Sequence, residues 1–246
     1  AVLGIKTSTG DAEGEVISRR DVRVTQQDLD RVQAQFTGAI SQIPPMHSAL
    51  KRDGKALYEY AREGIEVERE ARAVTIFKLN LAFAGIHSTQ NAIKIIATVS
   101  KGTYIRTLGE DIGEALGCGA YLSSLRRTET GGLLVSRALT LPQIEAMNDD
   151  ERIAALQPVD NLLAGHQAVT LDHDNAGRFL SGLRRKTDLP DNDHVAVFGD
   201  QPKALLGSAH IKAGELIPTR LLSPIEVSQI LAQSASTCAA LEPILN

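Results

Sequence analysis

Two segments rich in β-branched residues limit the fold of this 246-residue chain more than any other feature. They are residues 74–83 (VTIFKLNLAF) and 92–99 (AIKIIATV), and a short segment containing Gly, Ser and Asn separates them. Two such runs around a polar break are typical of a pair of antiparallel strands. We therefore expect a sheet near the middle of the chain.

A helix is predicted directly after the second strand. Thr103 can cap its first turn, and Gly117 occupies the position of a C′ glycine. Its apolar residues have helical spacing: Ile105, Leu108, Ile112 and Leu116. Another helix is predicted after Thr25, which forms a capping pattern with Asp28, and this helix ends at Gly38. The mixture of strands and helices predicts an α+β fold.

A composition shift near residues 160–168 indicates a linker between two parts of the chain. Short strands with Gly and Asp between them favour a small β-barrel-like module after this linker. The further predicted elements are a short helix at 57–63, a strand at 121–125, two short helices within 140–157, a helix at about 172–182, strands near 194–198, 204–211 and 215–221, and a last helix at 225–233.

Composition excludes several classes of protein. Apolar residues make up 43% and charged residues 23% of the chain, which is ordinary for a globular protein and wrong for a disordered one. Two cysteines cannot form a disulfide framework, and the six histidines are scattered. No apolar run reaches the roughly 18 residues of a membrane span, and no secretory signal is recognisable. We expect a reduced, cytoplasmic protein without bound metal.

The charge balance argues against a globally basic surface for nucleic acid. Residues 1–165 carry 19 basic and 21 acidic side chains, and residues 166–246 carry 7 and 9. A polyanion must therefore be held by local patches.

The densest candidate site is Lys101-Gly-Thr-Tyr104-Ile-Arg106, where a strand is followed by a helix. Backbone N–H groups at such a junction point outward, and the two cations favour an anionic ligand. Alternatively, Arg106 pairs with Glu110 on the same helix face, although this places the cation toward the N-terminus, which is the weaker orientation. Spacing alone leaves both interpretations open.

A second candidate is the loop that Pro44 and Pro45 stiffen, together with the short helix after it. Cations and aromatic rings alternate there, which fits RNA phosphates and unstacked bases. The alternative is a solvated helix face, because residues 51–72 contain six basic and six acidic side chains. The candidate residues are His47, Ser48, Lys51, Lys55, Tyr58 and Arg62.

Two shorter basic clusters complete the candidates. Arg126 and Arg127 follow Leu125, and the other cluster is Arg184, Arg185 and Lys186. Each cluster is either solvated surface or a contact to an RNA backbone.

Together these motifs resemble the tRNA pseudouridine synthase B family, enzymes that isomerise the T-loop uridine of tRNA. The resemblance rests on residues 43–72 (IPPMHSALKRDGKALYEYAREGIEVEREAR) and 100–127 (SKGTYIRTLGEDIGEALGCGAYLSSLRR), and it extends through residues 3–16 (LGIKTSTGDAEGEV). The segment after the linker is weakly similar to the family's PUA-like domain.

The resemblance implies a mixed, mainly antiparallel pseudouridine-synthase sheet flanked by helices in residues 1–165. It also implies a small PUA-like, β-rich RNA-binding domain in residues 166–223, with a C-terminal helix or tail in residues 224–246. The expected protein is a monomer in the cytoplasm that binds the T-arm stem-loop of tRNA, without metal, cofactor or membrane.

The family's chemistry assigns roles to several candidates. The target uridine is flipped into a pocket, and an Asp carboxylate acts covalently on it. Arg106 matches the arginine that pairs with this Asp, because a guanidinium keeps a carboxylate ionised and oriented. Leu125 matches a residue that lines the uracil pocket, while Tyr104 and Lys101 are expected beside the site.

One part of the family pattern has no counterpart in these 246 residues. The Gly-His-Thr-Gly-x-Leu-Asp-Pro-like motif with the nucleophilic Asp is absent, as is the Tyr that stacks against the uracil. Asp11 and Asp21 lie in a different context and are not assigned this role. The resemblance therefore predicts a truncated chain, missing the family's first quarter and inactive by itself. The alternatives are a non-catalytic protein that binds or folds tRNA, and an unstable remnant.

Overall fold

The computed structural model describes residues 1–84, 91–201 and 203–241, and side chains as far as residue 232. The chain forms two compact units, Ala1–Arg126 and Arg127–Asn246. The polar segment predicted between the two strand runs lies almost entirely outside the described residues. The division at Arg126 precedes the expected linker near 160–168, and the domain boundaries given above stay predictions.

The first unit combines short hairpins, one longer sheet and three helices among its described residues. Its strands are β1 (Val2–Leu3), β2 (Ile5–Thr7), β3 (Val16–Arg19), β4 (Gly38–Gln42), β5 (Lys51–Arg52), β6 (Lys55–Ala56), β7 (Arg72–Phe83), β8 (Ile93–Val99) and β9 (Ala120–Tyr121). Its helices are α1 (Gln26–Phe36), α2 (Leu57–Arg62) and α3 (Ile105–Ala115).

The longer sheet has the order β4-β7-β8 and is antiparallel throughout. It confirms the strand pair predicted from the two β-branched runs, with Leu81 opposite Ile95. Buried side chains from the sheet and from α1 and α3 form one apolar cluster, because each helix presents an apolar stripe to it. This cluster includes Leu29, Val32, Ile76, Leu81, Ile93, Leu108 and Ile112.

Both predicted long helices of this unit are confirmed, with one correction at a cap. α1 begins after Thr25, whose hydroxyl accepts from the Asp28 N–H while the Asp28 carboxylate accepts from the Thr25 N–H. The N-cap of α3 is Tyr104, so the prediction of Thr103 is wrong by one residue. In the turn before α3, the Thr103 hydroxyl donates a hydrogen bond to the Ser100 carbonyl oxygen at 2.9 Å.

Two glycines allow α3 to lie very close to the segment around β9. A Cβ at Gly113 would lie 2.3 Å from the Ala120 nitrogen, and one at Gly109 would lie 2.7 Å from a Leu122 methyl carbon. The strand predicted at 121–125 is wrong after Leu122: Tyr121 ends β9, which pairs with the two-residue β1, and Leu122 forms an isolated bridge with Asp11. The Leu122 N–H then turns away to the Gly10 carbonyl oxygen.

The second unit begins with short elements and ends in a β-rich module. Its strands are β10 (Glu129–Thr130), β11 (Leu133–Leu134), β12 (Gln167–Leu171), β13 (Arg185–Lys186), β14 (Asn192–Gly199), β15 (Ala204–Lys212) and β16 (Glu215–Leu221). Its helices are α4 (Leu141–Ala146), α5 (Asp149–Ala154), α6 (His173–Leu180) and α7 (Pro224–Leu241), with 3-10 turns at Val135–Arg137 and Val159–Leu163.

The β-rich module is a five-stranded sheet of order β12-β14-β15-β16-β13. The predicted strands and the helix before them are confirmed, and Phe179 of α6 is buried with residues of the sheet. α7 extends to Leu241 and is therefore longer than the predicted helix at 225–233. In the described parts of the chain, no helix has the length and apolar character required to cross a bilayer.

We predict that Gly113→Ala lowers the free energy of unfolding by about 2–3 kcal/mol, because its Cβ would meet backbone that cannot move aside. Thermal unfolding followed by circular dichroism measures the loss. Gly177→Ala in α6 is the matched control, since no atom lies within 4 Å of its Cβ position. The control should be neutral or stabilising. Equal midpoints for the two variants would contradict the close approach.

Candidate active site

An ion pair between Arg106 and Asp11 is the centre of the candidate site. Arg106 lies in the first turn of α3, and Asp11 lies in the turn between β2 and β3. The Arg106 Nε and Asp11 Oδ2 atoms are 2.8 Å apart. From the sequence alone, Asp11 has no assigned role, and a pair with Glu110 is an open alternative. The structure instead pairs Arg106 with Asp11, 95 positions earlier in the chain.

The turn around Asp11 prepares its carboxylate for this contact. The Thr9 hydroxyl donates to Asp11 Oδ1 at 2.6 Å, and the Glu13 N–H donates to the same atom at 3.1 Å. The Thr7 hydroxyl donates to the Asp11 carbonyl oxygen at 2.7 Å. Because Oδ1 is occupied by local donors, Oδ2 is left to face Arg106.

These contacts determine the ionisation of Asp11. Burial raises its pKa, but hydrogen bonds from Thr9 and Glu13 and the charges of Arg106 and His47 outweigh burial, so the pKa lies below its ordinary value of 3.8. The group is therefore a carboxylate at neutral pH.

Backbone hydrogen bonds join the Asp11 turn to the segment that carries Leu125. The Leu122 N–H donates to the Gly10 carbonyl oxygen at 2.9 Å, and the Ala12 N–H donates to the Leu122 carbonyl oxygen at 3.1 Å. Leu125 follows three residues later and is exposed. The residue expected to line a uracil pocket is thus connected, through its own segment, to the partner of Arg106.

The turn that precedes α3 is held by a buried side chain from β4. Gln42 forms two hydrogen bonds to the backbone of Tyr104, one to its N–H and one to its carbonyl oxygen. Tyr104 is half-buried, whereas Lys101 is exposed in the turn. The motif found in the sequence is therefore one rigid corner with Arg106 just inside the helix.

Glu110 and Asp111 lie on α3 near Arg106 without forming an ion pair with it. Burial raises the pKa of Glu110 more than the Lys6 charge lowers it, and burial likewise raises the pKa of Asp111. Glu114, in contrast, pairs with Lys6 and Arg20, and the hydrogen bond from Arg20 lowers its pKa.

The predicted basic loop contains cations that already have partners. Lys55 Nζ lies 2.6 Å from Glu63 and 4.7 Å from the centroid of the Tyr60 ring, and the Arg62 guanidinium lies 5.3 Å from the centroid of the Tyr58 ring. Lys51 is exposed, and no ion pair to it is found in the described part of the chain. The loop therefore has both internal pairs and an available cation.

His47 and Ser48 differ in their surroundings. His47 is exposed, whereas Ser48 is buried, and its hydroxyl has no hydrogen-bond partner among the described residues. The structure does not bring these two neighbours together as a catalytic pair.

The other basic candidates lie on exposed surfaces. Arg126 ends the first unit and Arg127 begins the second. In the second unit, Arg184 pairs with Glu215 at 3.4 Å, while Arg185 and Lys186 form the edge strand β13. Within the described residues, no group of three or more His, Cys, Asp and Glu side chains is arranged to hold a metal ion.

Asp11 and Gln42 are two site residues that the sequence patterns did not predict. A local signal existed for Asp11, because Thr9-x-Asp11-x-Glu13 is a pattern that can close on itself through side-chain hydrogen bonds. For Gln42 there was none, since its partner Tyr104 is 62 positions away. A single sequence does not indicate such long-range contacts.

Comparison with known proteins identifies two family models in the chain. Residues 1–105 match the model described as TruB family pseudouridylate synthase (N terminal domain). Residues 106–164 match the model described as tRNA pseudouridylate synthase B C-terminal domain. The two ranges meet between Ile105 and Arg106, so the candidate site draws on both.

Curated relatives carry the same description. The tRNA pseudouridine synthase B of Verminephrobacter eiseniae is 56% identical over 247 residues, covering 98% of this chain and 75% of that protein. The protein of the same description from Ralstonia pickettii is 50% identical over 229 residues, covering 89% of this chain and 72% of that protein.

Solved structures share the fold at lower identity. A chain from a crystal structure of a Cbf5-Nop10-Gar1 complex matches with a TM-score of 0.62 and 20% identity, covering 83% of this chain and 64% of that one. A chain from an H/ACA RNP bound to a substrate RNA containing 2'-deoxyuridine matches with a TM-score of 0.58 and 18% identity. This second match covers 82% of the present chain and 62% of the solved chain. The present chain therefore spans less than two thirds of each of these two solved chains.

We predict that Asp11→Asn destabilises the protein by about 1 kcal/mol at pH 7, because it removes a hydrogen-bonded, partly buried charge. The folded pKa of Asp11 is depressed, so its stabilisation is present above pH 3.8 and is lost as the pH falls through the folded value. Urea unfolding of both proteins from pH 7 to pH 3 measures the difference.

Asp21→Asn is the control for this experiment. The Asp21 side chain is 90% exposed and lies 3.8 Å from Arg23, so its loss should change little at any pH. A difference between wild type and Asp11→Asn that stays constant down to pH 3 would contradict the assignment.

Proposed function

Because the chain belongs to the tRNA pseudouridine synthase B family, whose members are isomerases, we propose that it takes part in the isomerisation of the T-loop uridine of tRNA. The Arg106–Asp11 ion pair is the observation that supports this most directly. A fixed guanidinium is suited to orient a reactive carboxylate, and the exposed cations and aromatic rings of the basic loop are suited to an RNA substrate.

Arg106 acts as the group that orients a nucleophilic carboxylate. Asp11 is paired with the Nε atom of Arg106. No second acidic residue in the described part of the chain is ion-paired with Arg106. A guanidinium has five N–H donors, so it can serve a second carboxylate while Asp11 holds it in place. Leu125 and Tyr104 contribute to the pocket that receives the flipped uracil.

Binding relies on local patches, since the net charge is −4. The T-arm backbone is contacted by the available cations of the loop and of the two arginine clusters, with Tyr58 offering a ring for stacking. We assign the catalytic core to residues 1–165, a PUA-like RNA-binding domain to residues 166–223 and a tail to residues 224–246. The protein acts as a cytoplasmic monomer without metal or cofactor.

The 246-residue chain by itself is proposed to bind RNA without turnover. Its sequence contains no Gly-His-Thr-Gly-x-Leu-Asp-Pro-like motif, so Arg106 has no nucleophilic carboxylate to orient. Asp11 is not assigned that role, because it lies outside a motif of this kind and its Oδ1 atom already accepts hydrogen bonds from Thr9 and Glu13.

A turnover assay tests this proposal. The chain is incubated with T-arm RNA, and pseudouridine is mapped by carbodiimide adducts and primer extension. We expect binding that weakens with salt and no product, with the Verminephrobacter eiseniae relative as the positive control. Product above the protein-free background would refute the lack of turnover.

Two alternatives make different predictions in the same experiment. A non-catalytic tRNA-binding or tRNA-folding protein would bind T-arm RNA equally well but would remain inactive when a polypeptide with the Asp motif is supplied. An unstable remnant would show no cooperative unfolding. The exposed apolar side chains of the second unit favour this last alternative: Leu141, Ile153, Leu156 and Leu162 are each more than 60% exposed.

We predict that Lys51→Ala weakens T-arm binding by several-fold and lowers the slope of log affinity against log salt by about 1, because one phosphate contact is lost. Filter binding at several salt concentrations measures both quantities. Lys78→Ala, at an exposed position of β7 outside the predicted set, should leave affinity and slope unchanged. If the slope of log affinity against log salt is the same for both variants, Lys51 is not part of the RNA interface.

A further inference from the structure

Gln42 is a long polar side chain buried at the end of β4. It is only 2% exposed, and it is one of few polar residues buried among the described residues. Burying a carboxamide without hydrogen bonds is unfavourable, because the amide loses its hydrogen bonds to water. The position of Gln42 is therefore explained by what it binds.

Both polar atoms of Gln42 bind the backbone of one residue. Its Oε1 accepts from the Tyr104 N–H at 2.8 Å, and its Nε2 donates to the Tyr104 carbonyl oxygen at 3.1 Å. The orientation of the carboxamide is determined, because the N–H group can only meet the oxygen. The side chain thus imitates the paired hydrogen bonds of a neighbouring strand.

These two hydrogen bonds reach the candidate site through Tyr104. It is the N-cap of α3, and its own side chain provides no capping hydrogen bond. Its carbonyl oxygen also accepts the first helical hydrogen bond, from the Leu108 N–H at 2.9 Å. Since Arg106 lies two residues later, a shift of Tyr104 would move the guanidinium relative to Asp11.

At its own position, Gln42 lies directly before the basic loop. Gln42 is followed by Ile43, Pro44 and Pro45, and the two prolines restrict the backbone that leaves β4. Gln42 therefore fixes both the position at which the loop begins and the position at which α3 begins.

We propose that Gln42 is a positioning residue that sets the direction of the Arg106 guanidinium and the relation of the basic loop to it. Gln42 is buried and acts through the Tyr104 backbone rather than by touching RNA. The expected effect of Gln42 on RNA affinity rests on the proposed function. The expected effect of Gln42 on the position of Arg106 does not depend on RNA.

Three variants of the 246-residue chain test the role. Gln42→Glu reproduces both hydrogen bonds only when the acid is protonated, and Gln42→Met has similar length and makes neither. Gln33→Glu is the matched control, because Gln33 Oε1 only accepts, from the Leu81 N–H at 2.8 Å, and a carboxylate can do the same. Arg72 lies opposite Gln42 on β7, and Lys101 and Arg106 lie on either side of Tyr104 in the sequence.

The first measurement is the ¹H–¹⁵N signal of the Arg106 Nε–H group, assigned by its loss in Arg106→Lys. In Gln42→Met, and in Gln42→Glu at pH 8, we expect the signal to move toward its position in Asp11→Asn. In Gln42→Glu it should return to the wild-type position at pH 5, because burial favours the neutral acid. In Gln33→Glu it should not move.

The second measurement is T-arm RNA affinity relative to wild type at the same pH. Gln42→Glu should bind about tenfold more weakly at pH 8 and within about twofold of wild type at pH 5, whereas Gln42→Met stays weak at both. Gln33→Glu should remain within about twofold throughout.

The outcomes separate this role from the proposed function. An unchanged Arg106 signal in both folded Gln42 variants, or an equal change in Gln33→Glu, would overturn the positioning role. If wild type does not bind T-arm RNA, the proposed function fails, and the Arg106 signal decides the role of Gln42 alone.

Discussion

The close approach of α3 to β9 sets the position of the side chains that α3 carries into the candidate site. Gly109 and Gly113 face Leu122 and Ala120 at distances that leave no room for a Cβ. Leu108 and Ile112 are fully buried on the same helix, so its rotation about its own axis is fixed. That rotation leaves Arg106 and Glu110 toward the turn between β2 and β3, because residues four apart lie on one face of a helix.

The choice of Asp11 over Glu110 as the partner of Arg106 follows from the surroundings of the two acids. The Asp11 carboxylate is already held by Thr9 and Glu13, so the ion pair costs little further side-chain entropy. Glu110 packs against Gly10 and is partly removed from water, which disfavours its charged form. A pair with Glu110 would also have the unfavourable orientation along the helix.

Sequence patterns predicted those parts of the fold that depend on neighbours within a few residues. Examples are the capping box of α1, the pairing of β7 with β8 and the apolar stripe of α3. Each could be predicted because the residues that define it lie close together in the sequence. The extent of β9 depends on the length of its distant partner β1, so the pattern at 121–125 was misleading. The same holds for the site: Arg106 was recognised from its motif, whereas Asp11 and Gln42 act through contacts that only the folded chain brings together.

Two turns of the first unit differ in how much they are bound to their surroundings. The hairpin between β5 and β6 turns at Asp53 and Gly54, both with positive φ, and the Cβ position of Gly54 meets no other atom within 4 Å. The turn between β2 and β3 is bound by the Ser8–Glu15 hydrogen bond, by Leu122 and by the contact of Gly14 with Thr9. The fold can therefore accept an inserted residue at the tip of the hairpin, whereas one inserted residue beside Asp11 would turn the carboxylate away from α3.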